Sequence, residues 1–530
     1  MNRFPDLIRK YAFLHPDKKA THFDGRDFTY AQFLERIQGM GQVLVNHGVN
    51  PGDRVAYLGQ NSHWLVEMYY APCVVGGILV PLNYRLSEDE MVEVIADCTP
   101  EVLIVDRHFV SRATTLMDRC PSLKQLIFAD WDEEAPGLPV GTPSYDALVA
   151  AVKPVPDDAF EDRATHTNDT MIIFYTSGTT GVPKGVMLSH SNLLTNATGS
   201  GHLYGYVDTD VLLLSGPLFH LGTGSRVYTA IAYGTTMVIQ PRFEVEETMQ
   251  IIQDQRVSTM TLVPTMLRMI MDHPRFSDFD FSSIRCLTYG ASPMPIALME
   301  RAIEAIPGVV FCQGYGMTET SPVLTVLTPA DHVPGNPMIG KLGSVGKPVI
   351  YADVRIVDEN DNPVPMGQSG EVIIRGPQVM NGYWNRPEET AHAMRGGFYH
   401  TGDAGFLDED GYLTLVGRTK EMIISGGENV YPIETENALT KHPAVAQAAV
   451  IGVPHHKWGE MVYAVVSLHD GKTTTGEELI AFCRQKIADF KAPRGVTIWD
   501  GPLPLSPTNK IDKKAIRQAV LADRKEGQNA

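Results

Sequence analysis

The chain has 530 residues, a formal net charge of −18, 43% hydrophobic residues and 20% charged residues. That length exceeds what one core of ordinary size holds, so about two to four folding units are expected. The composition is that of a soluble globular protein, and the acidic balance argues against nucleic acid or an anionic membrane surface as a partner, since both require a basic field.

The first residues, MNRFPDLIRKYAFLHP, lack the apolar stretch and small-residue cleavage site of a secretory signal. They read as an amphipathic helix with Phe4, Leu7, Ile8, Tyr11 and Leu14 near one face. The most apolar segment, residues 71–82, is interrupted by Cys73, two glycines and Pro81, and reads as buried core rather than a membrane span. Strand-like runs then alternate with helical periodicity: RVAYLG before WLVEMYYAPCVV, VLIVD before FVSRATTLMDRC, GTTMVIQ before VEETMQIIQDQRV. VSTMTLVP and IRCLTYG read as further buried strands. This rhythm predicts an α/β fold with largely parallel sheets.

After residue 341 the texture changes to short strands and turns, with ENDN and MGQSG as turn candidates, and predicts a small antiparallel β unit over about residues 341–416. A boundary is expected near GRTKEM, residues 417–422. The expected organisation is a large domain of α/β subdomains and the small β unit at 1–419, followed by a small α+β domain at 420–530. The six cysteines, Cys73, Cys98, Cys120, Cys286, Cys312 and Cys483, form no CxxC pair, which suits a reducing compartment without disulfides or structural zinc. KEGQNA at the end carries no peroxisomal tripeptide, so the cytoplasm is the expected location.

TSGTTGVPKG, residues 176–185, holds three glycines and four hydroxyl side chains, with a lysine, Lys184, near its far end. MIIFY before it reads as a buried strand, and SHSNLLTNAT after it as a helix capped by Ser189 or Ser191. Backbone N–H groups and the hydroxyls of Thr176, Ser177, Thr179 and Thr180, with Lys184 as the cation, offer what a phosphate chain needs. The spacing is not that of a Walker A loop. Taken alone, such a segment is as well explained as a glycine-rich surface turn.

YTSGTTGVPKG resembles the signature of the adenylate-forming superfamily: acyl-CoA synthetases, adenylation domains of peptide synthetases and luciferase-like enzymes. PLFH (217–220), YGASP (289–293), GYGMTE (314–319), YHTGD (399–403), GRTKEMIISGGENVYP (417–432) and PTNKID (507–512) resemble its further motifs, in the expected order over nearly the whole chain. The resemblance implies an ATP-dependent acyl-CoA synthetase that forms an acyl-adenylate, releases pyrophosphate, and passes the acyl group to CoA.

It also implies roles for individual residues. Thr176, Ser177, Gly178, Thr179, Thr180 and Lys184 would close over the β- and γ-phosphates. Gly290, Ala291, Ser292, Gly314, Tyr315, Gly316 and Met317 would line the nucleotide site, with Tyr315 against adenine. Thr318 and Glu319 would meet the α-phosphate and Mg²⁺, Asp403 the ribose hydroxyls, and Arg418 the ribose or phosphates. Lys510 would be the catalytic lysine, with Asn509 where the family usually has glycine. Lys510 also falls in a basic helical stripe with Lys513, Lys514 and Arg517, opposite Ile511, Ala515 and Val520; those three companions are expected to be solvated.

Lys420 would be the hinge of a mobile cap. Ser425, Gly426, Gly427, Trp458, Lys491 and Arg494 would meet CoA. The acyl pocket would be lined by His220, Leu221, Gly222, Thr223, Gly224, Gly290 and Gly316, with His220 at the carboxylate entrance. These segments hold no charged residue to pair with a substrate amine or second carboxylate, and no large residue to shrink the cavity to acetate size, so a medium or long fatty acid or an aryl acid is expected rather than an amino acid. A carboxylic acid and CoA are the partners implied, with a homodimer as an open assembly. A non-CoA acceptor such as a separate carrier protein, and a catalytically silent nucleotide or acyl sensor, remain as alternatives.

Overall fold

The computed structural model describes residues 3–132, 135–153, 155–156, 160, 163, 166–176, 183–290, 294–333, 336, 340–426, 428–505 and 511–526. Two compact units divide the chain: Met1–Asp353 with Ile374–Tyr399, and Val354–Ile373 with His400–Ala530.

The first unit is α/β. RVAYL, ILVP and VLIV are nearly unbroken apolar runs, which fits strands covered on both faces. They form Arg54–Leu58, Ile78–Pro81 and Val102–Val105, paired in parallel at the centre of a seven-stranded sheet. A nine-stranded sheet runs, from one edge, through Lys347–Pro348, Val323–Leu327, Val310–Gly316, Cys286–Gly290, Thr259–Leu262, Val211–Leu214, Thr236–Ile239, Lys19–Phe23 and Arg26–Thr29. Leu213, Met260, Leu287 and Phe311 belong to one hydrophobic core against that sheet.

The helix expected over SHSNLLTNAT is present as His190–Leu203, capped by Ser189, but a strand that was not expected precedes it: Lys184–Ser189, antiparallel to Thr170–Thr176. KGVMLS puts Val186 and Leu188 on one buried side, a period-two signal that the glycines before it obscure. WLVEMYYAPCVV is two short helices, His63–Met68 and Ala71–Val74, because Pro72 has no N–H with which to continue the ladder. The N-terminal helix Phe4–Leu14 buries Phe4, Ile8 and Tyr11 but leaves Leu14 exposed.

The second unit carries a four-stranded sheet in the order Asp353–Val357, Gly370–Arg375, Tyr399–Leu407, Leu413–Arg418, and a five-stranded sheet built on the long hairpin Val445–His455 and Gly459–Leu468. Packing thus groups residues 354–373 and 400–419 with the C-terminal residues. In the last helix, Lys513–Glu526, Ile516 and Val520 are the buried face. Lys513 is not solvated as expected: its ammonium pairs with Glu436 at 2.9 Å and Glu421 at 3.1 Å. Glu436 is buried, so the cation is drawn inward; Lys514 and Arg517 stay exposed. All six cysteines are buried and unpaired. Among the described residues no helix is long and apolar enough to cross a membrane.

Candidate active site

The strands on either side of the glycine-rich segment, Thr170–Thr176 and Lys184–Ser189, are antiparallel partners. Thr176 and Lys184 face each other across this pair, and the Thr176 hydroxyl donates to the Lys184 carbonyl at 3.5 Å. A Cβ on Gly185 would lie 2.7 Å from Ile173 Cγ2 and 3.2 Å from Trp384 Cβ, so only glycine lets the strand pack here. The Lys184 ammonium pairs with Glu389 and stands 5.2 Å from the centroid of the Tyr383 ring. Ser177, Gly178, Thr179 and Thr180 lie outside the described residues.

The second element is the strand Val310–Gly316, parallel to Cys286–Gly290. Gly290 pairs with Gly314, and a Cβ on Gly290 would sit 2.5 Å from the Gly314 carbonyl oxygen. A Cβ on Gly314 would collide with the Tyr204 hydroxyl, and one on Gly316 with the Pro322 carbonyl. Tyr315, between them, is half-buried and pairs with Thr325. The strand ends in a 3₁₀ turn, Thr318–Thr320, that places Thr318 and Glu319 at its tip. Met317 receives a contact from the Tyr399 hydroxyl, 3.4 Å from its Sδ.

Glu319 and Lys184 meet through one residue. The Tyr383 hydroxyl donates to Glu319 Oε1 at 2.9 Å, while the Lys184 ammonium stands over the same ring. Burial pushes the Tyr383 phenol well up, and the Glu319 carboxylate adds to the rise, so the phenol stays protonated and remains a donor. A cation and a carboxylate held on either side of a neutral phenol can grip a polyphosphate and its counter-ion together.

Two buried asparagines of the helix His190–Leu203 hold these parts in register. Asn192 Nδ2 donates to the carbonyls of Pro377 and Val379, both at 2.8 Å. Asn196 Nδ2 donates to Thr320 at 3.1 Å and Val323 at 2.7 Å. The turn bearing Glu319 and the segment leading to Tyr383 are therefore pegged to one rigid helix. Asn196→Ala leaves two carbonyls in a dry site and is expected to destabilise the protein by about 2 kcal/mol, read as a shift in urea midpoint. An unchanged midpoint would show that the turn is held elsewhere.

The helix Leu221–Tyr233 forms the third element. His220 caps it: its Nδ1 accepts from Gly222 N at 3.1 Å, and the residue is exposed. Leu221 and Gly224 are buried, and Gly222 and Thr223 are half-buried. A Cβ on Gly224 would collide with the Tyr69 hydroxyl. Ala291 and Ser292 lie outside the described residues.

In the second unit, Asp403 and Arg418 face each other on paired strands, with Arg418 Nε 2.7 Å from Asp403 Oδ1. Asp403 is buried and Arg418 largely exposed. Lys420 is exposed in the 3₁₀ turn Thr419–Glu421. Gly426, at φ 64°, donates its N–H to the Trp458 carbonyl at 2.8 Å, and a Cβ there would lie 2.7 Å from the indole. The Arg494 guanidinium stands 4.3 Å from the Trp458 ring centroid. Ser425, beside Gly426, is buried and pairs with Gly459. Ser425, Gly426, Trp458 and Arg494 are thus neighbours, whereas the Lys491 ammonium is engaged by Glu434 at 2.7 Å. Gly427 and Lys510 lie outside the described residues.

The AMP-binding enzyme family matches residues 8–384, and the AMP-binding enzyme C-terminal domain matches residues 434–510. The chain belongs to the AMP-binding enzyme family. This AMP-binding enzyme is 38% identical over 514 residues to a feruloyl-CoA synthase of an Amycolatopsis species, covering 96% of this chain and 97% of that one. It is 37% identical over 518 residues to the indoleacetate–CoA ligase of Aromatoleum aromaticum, covering 97% and 98%. Among solved structures it is similar to the amide bond synthetase McbA from Marinactinospora thermotolerans, with a TM-score of 0.86, 29% identity and 98% and 99% coverage. It is also similar to o-succinylbenzoate CoA synthetase from Bacillus subtilis bound to an acyl-adenylate intermediate, with a TM-score of 0.81, 31% identity and 96% coverage of both chains. That synthetase has also been solved with ATP and a magnesium ion. The enzyme is an AMP-forming acid–thiol ligase that uses ATP and CoA.

Within this AMP-binding enzyme, sequence reasoning missed Tyr383, Glu389, Asn192 and Asn196. Tyr383 and Glu389 lie in GYWNRPEET, which reads as an ordinary turn and helix start; only the pairing of Gly382–Tyr383 with Met187 and Val186 brings it to Lys184. The asparagines sit inside a helix, where their low propensity is a weak signal of a side chain bonded elsewhere.

Proposed function

We propose that this ligase activates an aryl carboxylic acid in one site and thioesterifies it there. The observation that carries the reading is the Lys184–Tyr383–Glu319 arrangement at the tips of two sheets, with the pocket helix Leu221–Tyr233 in the same unit. The aryl assignment draws on the relatives, since ferulate and indoleacetate are both aromatic acids.

In the first step a carboxylate oxygen attacks the α-phosphorus of ATP, the bond to the β-phosphate breaks, and acyl-AMP and pyrophosphate result. Thr176 to Thr180 and Lys184 bind the β- and γ-phosphates, and the Glu389 carboxylate gives way to them at the ammonium. Tyr315 stacks on adenine, Asp403 accepts from the ribose hydroxyls, and Arg418 swings from Asp403 toward ribose or phosphate. Thr318 orients the α-phosphate. Glu319 is the residue that would hold a magnesium ion, since a single hard oxygen ligand beside phosphate oxygens suits that cation. When bound, the ion would neutralise charge on the departing pyrophosphate. Lys510 stabilises the charge that builds on the α-phosphate. His220 stands at the carboxylate entrance, and Gly290, Ala291, Ser292, Gly314, Gly316 and Met317 form the floor.

In the second step the CoA thiol attacks the acyl carbon, AMP departs, and the thiol proton goes to solvent. A cap of residues 420–530 turns about Lys420, which removes Lys510 and brings up Ser425, Gly426 and Gly427. The close approach of Gly426 to Trp458, whose ring the Arg494 guanidinium covers, supports a narrow channel for the pantetheine arm. Lys420→Pro fixes φ at the pivot, and is expected to slow thioester formation at least about tenfold more than adenylation. Equal effects on the two steps, measured by rapid quench, would remove Lys420 from the pivot. We place the enzyme in the cytoplasm, a reading supported by six unpaired, buried thiols.

Incubation with ATP, magnesium and a panel of aryl and fatty acids tests the reading. AMP, pyrophosphate and an aryl-CoA are expected, with fatty acids poorer. The likeness to an amide bond synthetase supports a second reading, with an amine as acceptor. Adenylation that CoA does not discharge, but an amine does, would favour it.

A further inference from the structure

The motif segments expected to line the acyl pocket hold no charge, yet one lies just beyond them. Arg226 follows Gly222 by four residues on the helix Leu221–Tyr233 and so lies one turn along on the same face. It is only 5% exposed. Its Nε donates to the Thr261 hydroxyl at 2.9 Å, and the Thr261 and Thr288 hydroxyls are 2.6 Å apart. Thr288 is two residues before Gly290, so strand alternation puts this polar group on the same sheet face as Gly290, one step deeper. The guanidinium rests 4.8 Å from the centroid of the Tyr204 ring, whose hydroxyl touches Gly314. Arg226 is thus joined to all three walls expected of the acyl pocket.

Its charge has no carboxylate counterpart among the described residues: none stands within ion-pair distance of Arg226, and Asp210 is held by Arg285 at 2.7 Å. The hydroxyls of Tyr204 and Tyr206 are buried beside the guanidinium; the Tyr204 hydroxyl interacts with Arg226, and neither hydroxyl has a partner in full hydrogen-bond geometry. Buried cations are ordinarily paired, and buried hydroxyls ordinarily bonded. A buried cation with no carboxylate beside it among the described residues, next to two incompletely bonded hydroxyls and close to the segments expected to line the acyl pocket, is complementary to an oxygen-bearing group.

We propose that Arg226 anchors the far end of the substrate, so that the acid this enzyme activates carries an oxygen acceptor there, a second carboxylate or a phenol oxygen. The proposal rests on the ligase reading above and narrows it: a plain hydrocarbon tail leaves the two phenols beside Arg226 incompletely bonded.

The test is kcat/KM for AMP formation by the full chain with ATP, magnesium and CoA, on matched acids. 4-Carboxycinnamate and 4-hydroxycinnamate are compared with 4-methylcinnamate, and adipate with heptanoate. In the parent enzyme at least one oxygenated acid is expected to exceed its apolar match by about tenfold or more, since a site built to bond an oxygen rejects the analogue lacking it. The two oxygenated cinnamates distinguish an anionic from a neutral acceptor. Arg226→Met is expected to bring that ratio to within about twofold, while Arg226→Lys, which keeps the charge, retains part of it. A parent enzyme that prefers the apolar acids, or a folded Arg226→Met with an unchanged ratio, would overturn the proposal and leave Arg226 a packing residue. If neither variant folds, the parent ratios decide alone. Failure of every acid on the panel to yield AMP would instead overturn the ligase reading, and this inference with it.

Discussion

Lys510→Ala is expected to cut acid-dependent pyrophosphate release by about a hundredfold or more, while leaving conversion of synthetic acyl-AMP to the thioester near the parent rate. The first effect follows from removing a cation from the phosphorus at which charge develops. The second follows if, as proposed, a cap carries Lys510 away before the thiol attacks. Among the described residues flanking this segment, Leu505 and Ile511 form an isolated antiparallel bridge, and Asp512 N donates to the Pro504 carbonyl at 2.8 Å. Parallel loss of both half-reactions would contradict the alternation of states and point to one fixed arrangement.

Glu319→Gln is the second large effect. Glutamine keeps the shape and can still accept from the Tyr383 hydroxyl, but removes the charge. Adenylation is expected to fall about a hundredfold, and the magnesium concentration for half-maximal rate to rise, because a neutral amide is a poorer ligand for a hard cation. Tyr383→Phe should cost less, since it removes one 2.9 Å hydrogen bond and leaves the carboxylate in place. Rate against magnesium concentration for the three proteins separates the cases. A Glu319→Gln enzyme with the parent's magnesium dependence would take Glu319 out of the metal site.

What could be read from the residues divides along physical lines. Strands buried on both faces, such as RVAYL and VLIV, are legible because burial alone selects their composition. The α/β rhythm and the motif-bearing segments followed. Lys184–Ser189 escaped because a loop rich in glycine masks the short alternation after it. The break in WLVEMYYAPCVV was written in Pro72 but overridden by its apolar continuity. Lys513 looked like a member of a solvated stripe, since helical periodicity is blind to what packs above it; Glu436, far away in sequence, decides its place. Tyr383 reaches Lys184 through a two-residue strand pairing that no local pattern announces. Arg226 lies just beyond Gly224 in the chain, and the lack of a carboxylate beside it among the described residues is a fact of three dimensions only.

The central claim is that the carboxylate of the acid, and not water or a hydroxyl, attacks the α-phosphorus in a step separable from the thiol's. Acid-dependent exchange of labelled pyrophosphate into ATP, without CoA, measures that step directly. Rapid exchange that needs the acid and magnesium, with no ADP formed, is the result this account predicts. Exchange only when CoA is present, or ADP as the product of ATP, would contradict it.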